Sequence, residues 1–250
     1  MLQGELLNLL IEQEQFEHYF QPILNLNSDT LVGGELLLRT NFDSPDNIFK
    51  AAKQNNKLYD LDTKSIHKAI QLTNLMQGDV MIFINVFPST LINNTFPTFI
   101  EDIYRQYDSV CNQIIFEINE TDTFDQRLLG QRIQLLRKYG FLVAIDDFGK
   151  GWPTIQSIIE IEPNYLKLDR YFANDLVFSH KKQDMIKALL SYCNCNDIKV
   201  VLEGIENKEM IKIAQRLGIN MFQGYYLGMP EKIIDYYFEP SKYLSPILSE

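Results

Sequence analysis

Cysteine is scarce in this chain of 250 residues: Cys111, Cys193 and Cys195 are odd in number, and the Cys-Asn-Cys pair is too isolated to be a zinc site. Reduced thiols in a cytoplasmic protein are the simplest account, so no disulfide framework holds the fold. Long apolar runs are missing too. None approaches the roughly 20 residues of a membrane span. The N-terminus carries Glu5, Glu12 and Glu14 where a leader would have basic and then apolar residues. The expectation is a soluble, cytoplasmic chain with no membrane partner. Basic charge is in deficit, and a net charge of -10 argues against a nonspecific binder of nucleic-acid polymers, whose footprint is positive. An anionic small substrate stays open if metal ions reverse the local field. Linkers, low-complexity tracts and short repeats are absent, so residues 1–250 read as a single domain. With 46% hydrophobic residues, that domain can bury a full core.

What is present centres on Leu142-Val143-Ala144-Ile145-Asp146-Asp147-Phe148-Gly149-Lys150-Gly151-Trp152. A short apolar strand with β-branched Val143 and Ile145 runs into two adjacent carboxylates, and Gly149 and Gly151 then permit a tight loop. Neighbouring carboxylates repel, and a divalent cation would offset that repulsion. The dipeptide alone fits a helix cap as well as it fits a cation.

Taken in order, residues 4 to 15 form an amphipathic helix with Leu6, Leu9 and Leu10 on one side. Strands over 18–26 and 30–38 flank Asn27-Ser28-Asp29 as a hairpin, with Glu35 inside its apolar second arm. Helices are expected from Asp60 to Met76, with Asp60, Asp62 and Thr63 as start signals, from Pro97 to Tyr107, and from Thr123 to Lys138. Others follow from Pro153 to Ile159, from Lys181 to Cys193, after a cap at Asn207, and near Glu231 to Phe238. Strands come between them: Val80 to Ile84 ending in Asn85, Gln113 to Ile118 with Glu117, Tyr165 to Asp169 with Lys167, and Lys199 to Glu206 with Glu203.

This alternation suits a closed (β/α)8-type, TIM-like barrel with an N-terminal hairpin, and the lack of a Gly-x-Gly-x-x-Gly turn counts against a Rossmann sheet. Asn85, Glu117, Asp146, Asp147, Lys167, Glu203 and Gln223 all fall at strand C-terminal ends, the face where such barrels keep active sites. Each alone is also explained as a helix cap or a solvated rim residue. Glu35, Glu117 and Glu203, however, lie within or just after apolar strands, where unpaired carboxylates would cost several kcal/mol each. Convergence on metal is the economical reading.

In their order, these segments resemble the EAL-domain family of cyclic di-GMP phosphodiesterases from about Phe16 to about Ile233. Gln21-Pro22-Ile23 resembles the opening strand, and Glu35-Leu36-Leu37-Leu38-Arg39 the naming signature, with Leu36 in place of alanine. Asn85-Val86-Phe87-Pro88, Glu117-Ile118-Asn119-Glu120, Asp146-Asp147-Phe148-Gly149, Leu166-Lys167-Leu168-Asp169, Glu203-Gly204-Ile205-Glu206 and Gln223-Gly224-Tyr225 complete the series. The resemblance implies one cation on Glu35, Asn85, Glu117 and Asp146, and a second on Asp146, Asp147 and Glu203. All-oxygen ligation suits Mg2+ or Mn2+. It further implies in-line attack of water on one phosphodiester of cyclic di-GMP, giving linear pGpG, with Lys167 and Glu203 as catalytic residues. Gln21, Leu37, Arg39 and Gln223 would face the substrate, while Glu120, Glu206 and Asp169 would support the ligands. The resemblance also implies a homodimer, formed through the helices beside the Lys150 loop.

One departure stands out. Where the family commonly has Thr-Gly-Tyr-Ser-Ser after the aspartates, this chain has Lys150-Gly151-Trp152-Pro153-Thr154. Lys150 would either repel a cation or pair with Glu120. A competing expectation is therefore a domain that captures cyclic di-GMP, or a protein, without turning it over. A remoter one is a barrel enzyme acting on another phosphorylated metabolite.

Overall fold

A computed structural model describes residues 4–76, 78–118, 125–151 and 154–233. Its first helix, α1 (Gly4–Glu12), buries Leu7, Leu10 and Ile11. The expected stripe was rotated by about one position: Leu9 points outward and is 39% exposed, because the i, i+3, i+4 set that faces the core starts at Leu7. The hairpin follows as β1 (Glu17–Asn25) and β2 (Thr30–Arg39), antiparallel, with Gln21 opposite Glu35.

A helix that the sequence reading passed over comes next, α2 (Pro45–Gln54), with Ser44 accepting from the Asn47 N–H and Pro45 in the first turn. With α3 (Leu58–Leu75) and α1 it encloses a satellite core of Leu7, Leu10, Phe16, Ile48, Ala52 and Leu61. The expected start signals of α3 are misplaced. Lys57 stands at its N-terminus without a side-chain cap, whereas Asp62 is buried and accepts the Phe87 N–H.

Regular alternation then takes over: β3 (Met81–Val86), α4 (Pro88–Leu91), α5 (Phe96–Tyr107), β4 (Ile114–Ile118), α6 (Gln126–Lys138) and β5 (Leu142–Phe148). It continues with α7 (Ile155–Ile161), β6 (Tyr165–Leu168), α8 (Arg170–Ala173), α9 (His180–Cys195), β7 (Lys199–Leu202), α10 (Lys208–Leu217) and β8 (Met221–Phe222). Asn207 caps α10 and Gly218 ends it, as the sequence indicated. Asp125 caps α6, while the expected start at Thr123 lies outside the described residues, as does Pro153 before α7. The expected terminal helix is contradicted where it can be seen. Glu231–Lys232 form β9, an edge strand on Tyr19 and Phe20 of β1, held by long-range pairing that no local pattern announces; residues 234–238 lie outside the described residues.

The strands close in the order β2-β3-β4-β5-β6-β7-β8-β1 and back to β2. Neighbours from β2 to β8 are parallel, whereas β1 is antiparallel to both β2 and β8. The hairpin therefore supplies two staves of an eight-stranded α/β barrel and does not precede it. Outward residues such as Ile82, Phe116, Ile145 and Leu202 pack under the helices in the main core. Cys111, Cys193 and Cys195 are free thiols, and no described helix is long and apolar enough to cross a membrane.

Candidate functional site

Side chains alternate along a strand, so residues two apart share a face. Inside the barrel Ile23, Phe83, Ile115, Ala144, Tyr165 and Val201 form an apolar plug. One pleat nearer the mouth, the same staves present Gln21, Asn85, Glu117, Asp146, Lys167 and Glu203, and β2 and the end of β8 add Glu35 and Gln223. The polar layer is thus a consequence of strand register over a packed floor.

Lys167 stands at its centre, 1% exposed. Its Nζ lies 3.2 Å from Glu35, 2.6 Å from Glu117, 3.2 Å from Asp146 and 2.8 Å from Glu203. Asn85 Nδ2 donates to Glu35 Oε1 at 2.7 Å and Gln223 Nε2 to Glu35 Oε2 at 2.9 Å. Gln223 also donates to Gln21, whose amide reaches the Gly228 carbonyl. Of the four residues expected around a first cation, Glu35, Glu117 and Asp146 converge on the ammonium of Lys167, and Asn85 joins them through its bond to Glu35. Asp146, Asp147 and Glu203, expected around a second, each offer an oxygen within 4.8 Å of the others.

Electrostatically the site is short of positive charge. Burial pushes Glu117 well above the usual carboxylate range, reinforced by Glu35, and it pushes Glu203 up to about 8. Asp147 is raised by burial and then by Asp146. Burial also opposes charge on Glu35, but Lys167, Gln223 and Asn85 together hold its carboxyl low. For Lys167 desolvation favours the neutral amine, yet Asp146, Glu117, Glu203 and Glu35 outweigh it and keep the ammonium. Among the described residues, Glu117 Oε2 is buried without a hydrogen-bond partner.

Two cavities of ≈ 320 and ≈ 260 Å³ open above this layer and share Glu35, Leu37 and Asp146. Arg39 lines the smaller, donating to the Leu38 carbonyl and lying 5.9 Å from the Tyr19 ring centroid. Asp147, Lys150, Asp169 and exposed Glu206 line the larger. Asp169 Oδ1 accepts the Tyr171 N–H and so also caps α8. Glu120 lies outside the described residues, and Lys150 meets Asp147 at 3.4 Å. Sequence reasoning missed Arg170 and Tyr225, which line the larger cavity; the motifs Leu-Lys-Leu-Asp and Gln-Gly-Tyr that precede or contain them were the available signal.

Fold and site define the class: a (β/α)8-type barrel with an acid-lined mouth around one buried lysine. The EAL domain family model matches residues 3–230, and the chain belongs to that family. Cyclic di-GMP phosphodiesterase PdeB of Shewanella oneidensis is 30% identical over 236 residues, 90% of this chain and 28% of that protein. The blue light- and temperature-regulated antirepressor BluF of Escherichia coli is 29% identical over 214 residues, 83% of this chain and 53% of its own length. The chain thus spans between about a quarter and a half of these curated relatives. Among solved structures, BlrP1 of Klebsiella pneumoniae with manganese and cyclic di-GMP superposes with TM-score 0.79 at 26% identity, covering 87% of this chain and 56% of that one. An EAL domain protein of Listeria monocytogenes gives 0.82 at 24%, covering 89% and 91%, and speaks for the fold.

Proposed function

We propose that this chain is a divalent-metal-dependent phosphodiesterase that hydrolyses cyclic di-GMP to linear pGpG in the cytoplasm. The observation that carries the proposal is the convergence of Glu35, Glu117, Asp146 and Glu203 on Lys167: four carboxylates facing one buried ammonium, with half-buried Asp147 beside Asp146 and Glu203. The relatives named as cyclic di-GMP phosphodiesterases support the choice of substrate.

The residues fit Mg2+ or Mn2+. The donors are hard oxygens without thiolate, and the unpartnered Glu117 Oε2 and the upward-shifted carboxyls call for added positive charge. Glu35, Asn85, Glu117 and Asp146 would hold one ion, and Asp146, Asp147 and Glu203 the other. Bound there, the pair would supply Lewis-acid charge to water and to the phosphodiester. The chain does the positioning. Lys167, fixed by its carboxylates, would help Glu203 orient the attacking water. Arg39 offers a forked donor to phosphate, with Leu37 at the junction of the two cavities and Gln21 and Gln223 fixing the edge beside Glu35. Two lobes meeting at one polar centre suit a ligand made of two nucleotide halves.

A second reading, capture without turnover, is favoured by the Lys150–Asp147 contact and by a relative named as an antirepressor. Incubating the purified chain with cyclic di-GMP and Mn2+ and separating nucleotides by chromatography distinguishes them. The expected product is pGpG; binding without product would leave the receptor, and no binding would discard both.

A further inference from the structure

We infer that Lys150 is a tethered competitor for the cation site of Asp146, Asp147 and Glu203, raising the divalent-ion concentration that this one site needs. The inference rests on the metal reading above and deepens it.

The argument begins with the backbone. Asp147 has φ 54°, Gly149 φ 114° and Gly151 φ 116°, and the Lys150 N–H donates to the Asp147 carbonyl at 3.2 Å. Three left-handed residues in five fold the chain back on itself, and aspartate and glycine are the types that tolerate this. A Cβ on Gly149 would meet the Phe172 ring at 2.5 Å, so the turn is seated against α8. Lys150 is therefore returned to Asp147, with its Nζ 3.4 Å from Asp147 Oδ2.

Nothing in packing asks for a lysine there. Its side chain is 67% exposed, and an exposed ion pair adds little to stability. Its position matters more, since Asp147 supplies one of the three oxygens that lie within 4.8 Å of each other. Asp146 ties that trio to the deep layer, since its Oδ1 is buried and lies 3.2 Å from the Lys167 ammonium. An ion entering the trio must displace the Lys150 ammonium or sit beside it, and both weaken binding. The Glu35, Asn85 and Glu117 side of the layer lies deeper, around Lys167, and is spared. Lys150 thus acts on one of two sites, and its grip loosens in salt because it is exposed.

The test is Mn2+ titration of the metal-stripped full chain by calorimetry and by electron paramagnetic resonance of the free ion, with folding checked by circular dichroism. Lys150→Met keeps length and removes charge, Lys150→Arg keeps charge, and Asp147→Asn weakens the trio. Wild type is expected to show a tighter and a weaker class of site. Lys150→Met should tighten only the weaker class, by about fivefold at low salt, near the upper worth of an exposed ion pair. The gain should shrink at high salt, Lys150→Arg should follow wild type, and Asp147→Asn should abolish the weaker class. Superimposable wild-type and Lys150→Met isotherms would overturn the inference, as would loss of the weaker class in Lys150→Met. If no folded variant binds Mn2+, the metal reading itself falls and takes this inference with it, a result distinct from unchanged two-site binding.

Discussion

At the residue scale two buried cations-in-waiting behave oppositely. Lys167 keeps its proton because carboxylates surround it, whereas His18, packed in the barrel wall with Nε2 3.1 Å from Ser65 Oγ, is pushed down to about 3 by burial and then by Lys68. Lys167→Met should cost the metal-free protein about 3–5 kcal/mol in urea unfolding, because its carboxylates would be left without a countercharge. For His18 the unfolded chain takes up a proton near 6.5 and the folded chain only near 3. Its contribution is complete above about 6.5 and drains as pH falls toward 3. Between pH 7 and pH 5 wild type should lose about 2 kcal/mol more than His18→Gln, measured by urea unfolding at both values. The site acids were legible because each interrupts an apolar strand. Their convergence was read from the strand pattern, on metal and with an ion pair to Lys167 as the alternative; the distances were not, since Glu35 lies 132 residues from Lys167 and no local pattern encodes their separation in space.

At the scale of elements, local signals located most helices and strands and failed where partners decide. The Asn207 cap and the Gly218 stop were readable because both act within one turn. β9 was not, because Glu231 and Lys232 extend only by pairing with Tyr19 and Phe20. α2 carried its own signals, Ser44 and Pro45, in a segment whose buried apolar residues are only Ile48, Ala51 and Ala52. The loop after β8 shows how tightly elements fit at the mouth. A Cβ on Gly224 would meet the Ile205 nitrogen at 2.3 Å and its oxygen at 2.4 Å, backbone that cannot swing aside. Gly224→Ala should destabilise the protein by about 3 kcal/mol in thermal or urea unfolding. It should also displace Gln223 and weaken the proposed binding of cyclic di-GMP; unchanged stability and affinity would show that the loop yields.

At the scale of the whole molecule, the barrel and its acid-lined end follow from the order of strands, and the sequence conveyed both. What it did not convey was that the hairpin would enter the ring with β1 reversed. Cations that bind the folded chain and not the unfolded one should stabilise all of it. Mn2+ at one hundred times its dissociation constant should add about 2.7 kcal/mol and raise Tm by about 5–10 °C, reversed by EDTA. An unmoved Tm would count against resident metal. The reversed stave has a further consequence, in time. Gln21 and Gln223 touch across 202 positions, so the seam between first and last staves cannot be sewn until nearly all of the described chain has left the ribosome. A nascent chain that has passed Glu203 but not Gln223 carries all the acids without the closed ring that gathers them, so the polar rim is assembled only in the final act of folding.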